Sequence, residues 1–362
     1  MPHLVGQRYP RGQGRLNQLA VAHFVVSGRV QGVGFRPFVY RLAQRFDLTG
    51  WVQNTLGRVE IHVEGTPQHL ADFATALVDE APPLSQPSLL SQRQPPATGA
   101  SGFAIRPSTR DVQPDIHVPP DYFTCDACLA ELFDPQDRRY RYPFINCTQC
   151  GPRYTLIEAL PYDRDATTMR DFALCAACRA EYENPLDRRF HAEPVACPQC
   201  GPQLTYRNDR LTLAGEEALA AAVAALHAGR IVAVKGVGGY HLLCDAGSEA
   251  AVLRLRSRKA RPHKPLAVMF PDLADVQRAA LLTDDEAAFL SSPLRPKLLL
   301  RQRADSQLSI QLAPGLAEIG AMLPYSPLHH VLLADFAAPL VATSANISGE
   351  PVLTDNAEVE TR

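Results

Sequence analysis

CDACLAELFDPQDRRYRYPFINCTQCGP (125–152) and CAACRAEYENPLDRRFHAEPVACPQCGP (175–202) are two copies of one pattern. At an offset of 50 residues DRR falls on DRR and CxQCGP on CxQCGP, the mark of an internal duplication. Eight of the nine cysteines lie here as four CxxC pairs: Cys125/Cys128, Cys147/Cys150, Cys175/Cys178 and Cys197/Cys200. In each copy 18 residues separate the two pairs. A CxxC turn offers two thiolates to one metal ion, two such turns complete a tetrahedral site, and this spacing falls in the zinc range. The competing reading is a set of four disulfides. It suits small secreted domains, whereas this chain is long and shows no secretory signal. Two closed sites follow, with a structural rather than catalytic role. Sequential pairing (Cys125, Cys128, Cys147, Cys150; then Cys175, Cys178, Cys197, Cys200) is the simplest. Joining outer pairs together and inner pairs together fits the duplication equally well, and the sequence leaves the choice open. His191, near the second set, reads as a surface or packing residue.

Outward from this array, 362 residues suffice for two or three domains. Lys+Arg (36) and Asp+Glu (38) nearly balance, which speaks against a protein that coats nucleic acid or lipid by charge. No apolar run approaches the roughly 18 residues of a membrane helix. Residues 1–19 read as a disordered tail. Many of the 31 prolines fall in 81–96 and 107–120, which read as connectors. A cytoplasmic protein with reduced thiols is expected, with neither membrane nor nucleic acid as partner.

Residues 20–108 alternate in type. AHFVVSGRVQ (22–31) has the density of a buried strand. Phe35, Phe38, Val39, Leu42 and Phe46 recur at helical spacing, placing a helix start near Arg36 or Pro37. TGWVQNT (49–55) and RVEIHVEG (58–65) pair around Leu56-Gly57, HLADFATALVDE (69–80) is a second helix, and a weak strand SLLSQ (88–92) precedes GFAIRPS (102–108). The order βαββαβ is a ferredoxin-like split sandwich. Between first strand and first helix, Gln31, Gly32, Val33, Gly34 and Phe35 form a loop whose amides, with the helix dipole and Arg36, suit a phosphate-sized anion.

Residues 205–362 alternate helices such as EEALAAAVAALHAGR (216–230) with strands such as IVAVKG (231–236), PLAVMF (265–270) and LVATS (340–344), the pattern of a mixed α/β sheet. Cys244 reads as a core thiol. The basic run ending in KARPHKP (259–265) is either a solvated face or an anion strip. Lys235, at a strand end beside glycines, is a weaker anion-binding candidate.

Three resemblances sharpen these readings. GRVQGVGFR (28–36) and GWVQN (50–54) resemble the acylphosphatase family, which implies Arg36 as anion clamp and Asn54 as the residue that orients the attacking water. KARPHKPLAVM (259–269) with TSANISGEP (343–351) looks like the YrdC family motifs KxRPxxxPL and TSANxSG, the PL falling one residue early. That likeness implies Lys259 and Arg261 facing phosphates and acyl group, with Ser344 and Asn346 on the same ligand. The combination, together with LPYSPLHH (323–330), resembles the HypF family, the carbamoyltransferases of [NiFe]-hydrogenase maturation. The family's activity implies carbamoyl phosphate and ATP with Mg2+ as substrates, two structural Zn2+ ions, and the C-terminal cysteine of HypE as acceptor.

The expected architecture is thus an α+β and α/β multidomain chain. It comprises an acylphosphatase-like domain (20–108), a duplicated zinc-finger-like module (109–204) acting as a rigid spacer, and a YrdC-like nucleotide-binding domain (205–362). Family members continue past residue 362 with a transfer domain, so the chain reads as an N-terminal fragment. A threonylcarbamoyl-adenylate synthase accounts for the last segment only. A zinc scaffold with inactive flanks leaves the intact motif residues without a purpose.

Overall fold

A computed structural model describes residues 19–55, 57–107, 120–159, 162–292, 294–346 and 349–362. The expected tail (all but Leu19) and most of the connector 107–120 lie outside them. The chain forms two compact units, Met1–His117 and Val118–Arg362.

The first unit runs β1 (Ala20–Arg29), α1 (Phe35–Arg45), β2 (Thr49–Thr55), β3 (Arg58–Gly65), α2 (Pro67–Asp79), β4 (Gln86–Arg93), β5 (Phe103–Arg106). Its sheet has the order β4-β1-β3-β2-β5, with β2 and β5 parallel and the other neighbours antiparallel. The alternation read from the sequence is the physical cause. Phe24, Val26, Val52, Val59, Ile61 and Val63 point to one face and are buried there with Val39 and Leu42 of α1 and Phe73 and Leu77 of α2. Thr66 caps α2 by accepting the His69 N–H, and Pro67 opens its first turn. One expectation needs correction. The stretch 81–96 is not merely a connector, because β4 fills it as a fifth strand and the order is βαββαββ. This strand is the weak one read at 88–92; it lies at the sheet edge with no buried residue, which is why its apolar signal is faint.

The opposite face of this sheet carries polar groups that are also buried. His62 lies 2.9 Å from Glu64 and stacks on Trp51, the only tryptophan. Glu64 also accepts hydrogen bonds from Thr98 N–H and Oγ–H and from Gly99 N–H, so it clasps the segment after β4. Burial alone would raise the Glu64 pKa, but bonds from Thr98, His62 and Gly99 pull it down to about 2. Gly50 has φ 134°, and a β-carbon there would fall 2.0 Å from the His62 carbonyl oxygen, so only glycine lets β2 pair so closely.

In the second unit come α3 (Asp126–Phe133), α4 (Ala176–Glu183), the hairpin β6 (Thr205–Arg207) and β7 (Thr212–Ala214), α5 (Gly215–His227), β8 (Val232–Gly236), β9 (Gly239–Asp245), α6 (Glu249–Arg258), β10 (Ala267–Met269), α7 (Leu273–Ala279), α8 (Asp284–Ser291), β11 (Leu298–Arg301), β12 (Glu318–Met322), α9 (Pro327–Phe336), β13 (Leu340–Ser344) and α10 (Asn356–Thr361). The six-stranded sheet β11-β12-β10-β13-β9-β8 is mixed: β10 and β12 are parallel, and the other neighbours are antiparallel. Val268, Val341 and Cys244 pack with Val252, Leu255 and Val276 on one side, which makes Cys244 the core thiol expected. Leu243, Met269 and Leu340 pack with Leu226, Leu332 and Phe336 on the other. That second cluster continues without a break into Leu132, Tyr142 and Ile145. The cysteine module therefore shares a core with the α/β domain.

Glu64 supplies a test. A depressed carboxylate stabilises the fold above its unfolded pKa of about 4.3, and that contribution is lost as pH falls toward about 2. Trp51 fluorescence should therefore report acid unfolding of the first unit in this window. Glu64→Gln should be less stable at pH 7 and flat between pH 4.5 and 2. An unchanged acid limb in Glu64→Gln would contradict the assignment.

Candidate functional site

Three constellations emerge. In the first unit, Gly32 (φ 67°) and Gly34 (φ 73°) are both left-handed, which only glycine adopts without strain. Gly34 is the N-cap of α1, and no side chain caps that end. Val33 and Phe35 are buried and anchor the loop. Gln31, expected in the anion cradle, uses its amide as a tether: Nε2 donates to the carbonyls of Thr55 (2.8 Å) and Arg58 (3.2 Å). The bond ties the loop to the β2–β3 turn, one residue from Asn54. Asn54 is buried, and among the described residues its Oδ1 has no hydrogen-bond partner. A buried acceptor without a donor is costly, and a bound water would satisfy it. Arg36 lies in the first turn of α1, half-buried, at the positive end of the helix dipole.

In the second unit the cysteines gather in the sequential sets, Cys125, Cys128, Cys147, Cys150 and Cys175, Cys178, Cys197, Cys200, which answers the pairing question. Sulfur separations are 3.7 Å (Cys125–Cys147), 3.8 Å (Cys147–Cys150) and 3.4 Å (Cys128–Cys150) in one set. They are 3.8 Å (Cys175–Cys197), 3.7 Å (Cys197–Cys200) and 3.6 Å (Cys178–Cys200) in the other. Tetrahedral Zn–S bonds of about 2.3 Å place sulfurs roughly 3.8 Å apart, so both sets fit a zinc-sized ion and neither fits disulfides. His191 packs against Tyr182 and Phe190, outside the ligand set.

The DRR triplets, in register but without a role in the sequence reading, lock the copies together. Arg138 and Arg139 of the first copy reach Glu181 and the Cys178 sulfur of the second. Arg188 and Arg189 of the second reach Glu131 of the first, and Arg188 also reaches the Cys128 sulfur. Even the backbone contacts are equivalent: Arg139 Nε donates to Ala196 O (2.8 Å) and Arg189 Nε to Asn146 O (3.2 Å). Burial would raise the Glu181 pKa, but Arg139 and Arg138 hold it near about 2. The signal was present in the sequence: Glu131 and Glu181 each stand three residues after a CxxC pair and share the offset of 50.

The third constellation joins the KxR and TSAN segments. Lys259 Nζ donates to Ser344 O (2.6 Å), Asn346 O (2.5 Å) and Asn346 Oδ1 (3.2 Å). Ser344 Oγ donates to Asn346 Oδ1 (2.7 Å). Burial, with the charges of Arg261 and Lys264 nearby, lowers the Lys259 pKa. Arg261 folds onto its own loop, donating to Pro265 O (2.7 Å). Ile347 and Ser348 of the second motif lie outside the described residues. Lys235 is at the end of edge strand β8, where its ammonium donates to Asn356 Oδ1 (2.8 Å).

Comparison with known proteins follows the same divisions. Residues 22–105 match the Acylphosphatase family, 124–157 and 174–206 each match the HypF finger, and 224–362 match the Telomere recombination family of Sua5, YciO and YrdC proteins. The double finger match agrees with the duplication. An acylphosphatase of Synechococcus sp. is 43% identical over 84 residues, 23% of this chain and 83% of its own. The chain is thus of the class that joins an acylphosphatase fold, paired four-cysteine fingers and a YrdC-type domain.

The carbamoyltransferase HypF of Synechocystis sp. is 51% identical over 339 residues, 93% of this chain and 44% of its own. A crystal structure of full-length HypF in the phosphate- and nucleotide-bound form superposes with a TM-score of 0.88 at 40% identity, covering 96% of this chain and 45% of that one. The chain belongs to the HypF family. It spans a little under half the length of these relatives. Among the described residues no helix is long and apolar enough to cross a membrane.

The interlock predicts a crossed effect. Arg139→Lys should speed metal release from the set of Cys175 to Cys200, and Arg189→Lys from the set of Cys125 to Cys150, each roughly tenfold or more. Release into a chromophoric chelator should resolve this as acceleration of opposite kinetic phases. Acceleration of the same phase by both variants would refute the crossed arrangement.

Proposed function

We propose that the chain converts carbamoyl phosphate to carbamate in the first unit and carbamate plus ATP to carbamoyl adenylate in the second. These are the opening steps of ATP-dependent carbamoyl transfer in [NiFe]-hydrogenase maturation. The observation that supports this most is the presence, in one chain of the HypF family, of both the Arg36/Asn54 loop and the Lys259/Ser344/Asn346 cluster.

In the first reaction the amides of the loop from Gln31 to Phe35, the dipole of α1 and Arg36 hold the phosphoryl oxygens. Asn54 Oδ1 accepts a hydrogen bond from water and aligns it for attack. The water oxygen bonds to phosphorus, and the bond to the carbamoyl oxygen breaks, giving phosphate and carbamate. No covalent nucleophile is needed, since orientation and charge stabilisation supply the rate.

In the second reaction Lys259 and Arg261 face the ATP phosphates and the acyl group, Ser344 and Asn346 hold the same ligand, and Lys235 is a further nucleotide candidate. Mg2+ accompanies the triphosphate. Zn2+ in both thiolate sets is structural. The proposed domain boundaries remain 20–108, 109–204 and 205–362. Thiolates kept free of disulfides accord with a cytoplasmic location. Transfer to the C-terminal cysteine of HypE belongs to the part of the relatives that this chain does not span. A threonylcarbamoyl-adenylate synthase reading leaves the first unit and the fingers without a purpose.

ATP–pyrophosphate exchange tests the scheme. Arg36→Ala should cut exchange driven by carbamoyl phosphate about 100-fold or more while leaving exchange driven by added carbamate at the wild-type rate. Lys259→Ala should suppress both. If Arg36→Ala hydrolyses carbamoyl phosphate normally, the first assignment falls.

A further inference from the structure

The LPYSPLHH segment has no part in the scheme above, yet it builds a polar cluster against the sheet. Ser326 caps α9: its oxygen accepts the His329 N–H (3.4 Å) and lies 2.7 Å from His329 Nδ1. In the tautomer whose Nδ1 accepts the Ser326 hydroxyl hydrogen, which is the one that uses both groups of the serine, Nε2 carries the ring hydrogen. His329 is fully buried, and burial, with His241 and His330 beside it, pushes its pKa down to about 3, so the ring is neutral. Among the described residues Nε2 has no hydrogen-bond partner. In that tautomer a neutral N–H donor stands buried with nothing among the described residues to receive it, at a cost that an acceptor would remove.

Tyr325 and His241 surround that ring. The Tyr325 ring lies tilted with its centroid 4.7 Å from that of His329, the His241 centroid lies 5.6 Å away, and the Tyr325 hydroxyl lies 3.3 Å from the His241 ring nitrogens. A β-carbon at Gly236 would fall 3.1 Å from that hydroxyl and 3.6 Å from His329 Cε1, so glycine keeps the end of β8 clear. The Lys297 charge acts on His241, and its stem lies over Gly320, another position without a side chain. The register places the group beside the nucleotide candidates. His241 on β9 pairs with Ser344 on β13, and the Ser344 carbonyl holds Lys259. Paired residues of adjacent strands project to the same face.

We infer that Tyr325, His241, His329 and Lys297 form the subsite for the acyl substrate of the adenylation, a planar monoanion of carbamate size. This rests on the adenylation reading. Neutral donors from His329 and Tyr325, with the single charge of Lys297, match a small carboxylate-like group. One carbamate oxygen forms a bond to the α-phosphorus, and pyrophosphate leaves with the electron pair of the broken P–O bond. Tyr325 and the two histidines bind and orient the substrate; no proton is transferred.

Pyrophosphate exchange by the full chain, started with fresh ammonium carbamate, provides the test. Tyr325→Phe deletes one hydroxyl and should raise the KM for carbamate roughly tenfold, the effect of one hydrogen bond to a charged group, while the KM for ATP and the melting temperature stay put. His241→Gln should shift the same constant. An unchanged carbamate KM in both variants overturns the assignment, and so do equal rises in both KM values, which mark a packing role. Should one variant fail to fold, the other decides. A wild-type chain silent with ATP and carbamate sinks the adenylation reading itself, and this subsite with it.

Discussion

The interaction on which the second unit depends is the exchange of arginines between the duplicated fingers. Four thiolates around a divalent ion carry a formal double negative charge, and a pair of such centres close together would repel one another. Each copy answers the other's charge. Arg138 and Arg139 lie against Cys178, Arg188 lies against Cys128, and Glu181 and Glu131 fix the guanidinium planes. Arg139 is 1% exposed, so most of its charge is met by protein groups rather than water. The same lock keeps Leu132 and Ile145 in the core that continues under α5 and α9. A second tie is direct: the N–H of Thr124, the residue before Cys125, donates to the carbonyl of Tyr325 (3.1 Å). The four-cysteine sets and the six-stranded sheet therefore belong to one packed body.

The two candidate sites are built by different physics. In the first unit the proposed donors are backbone amides, so the sequence needs glycines at Gly32 and Gly34 and little else; Gln31 sets where the loop sits. In the second unit side chains converge from a helix C-terminus and a strand end, Lys259 after α6 and Ser344 at the end of β13. Such a site has no local pattern, because its members are 85 residues apart.

This difference decides what could be read from the chain. The CxxC spacing, the glycine loop and the apolar alternation of β1, β2 and β3 are short-range patterns with a physical period, and the ferredoxin-like and mixed α/β folds follow from them. Edge strand β4 gave only a weak signal at 88–92 because nothing in it is buried, and β12 escaped because EIGAM offers small residues without alternation. The sequential cysteine pairing escaped because the duplication is symmetric under either choice. The roles of Arg139, Arg189 and His329 escaped for another reason. Their meaning lies in partners tens of residues away, or in the lack of one among the described residues, and a linear reading carries neither.

Lys259 carries one more consequence. Its ammonium already holds the carbonyl oxygens of Ser344 and Asn346, so it greets any incoming ligand with its donors committed. A phosphate group must out-compete two dipoles before it gains the charge. A ligand with one weakly placed negative group gains little from that exchange, whereas a triphosphate recovers the loss several times over. Under the proposed nucleotide reading, the committed ammonium acts as a threshold on ligand charge, which favours a nucleoside triphosphate over a mono- or diphosphate.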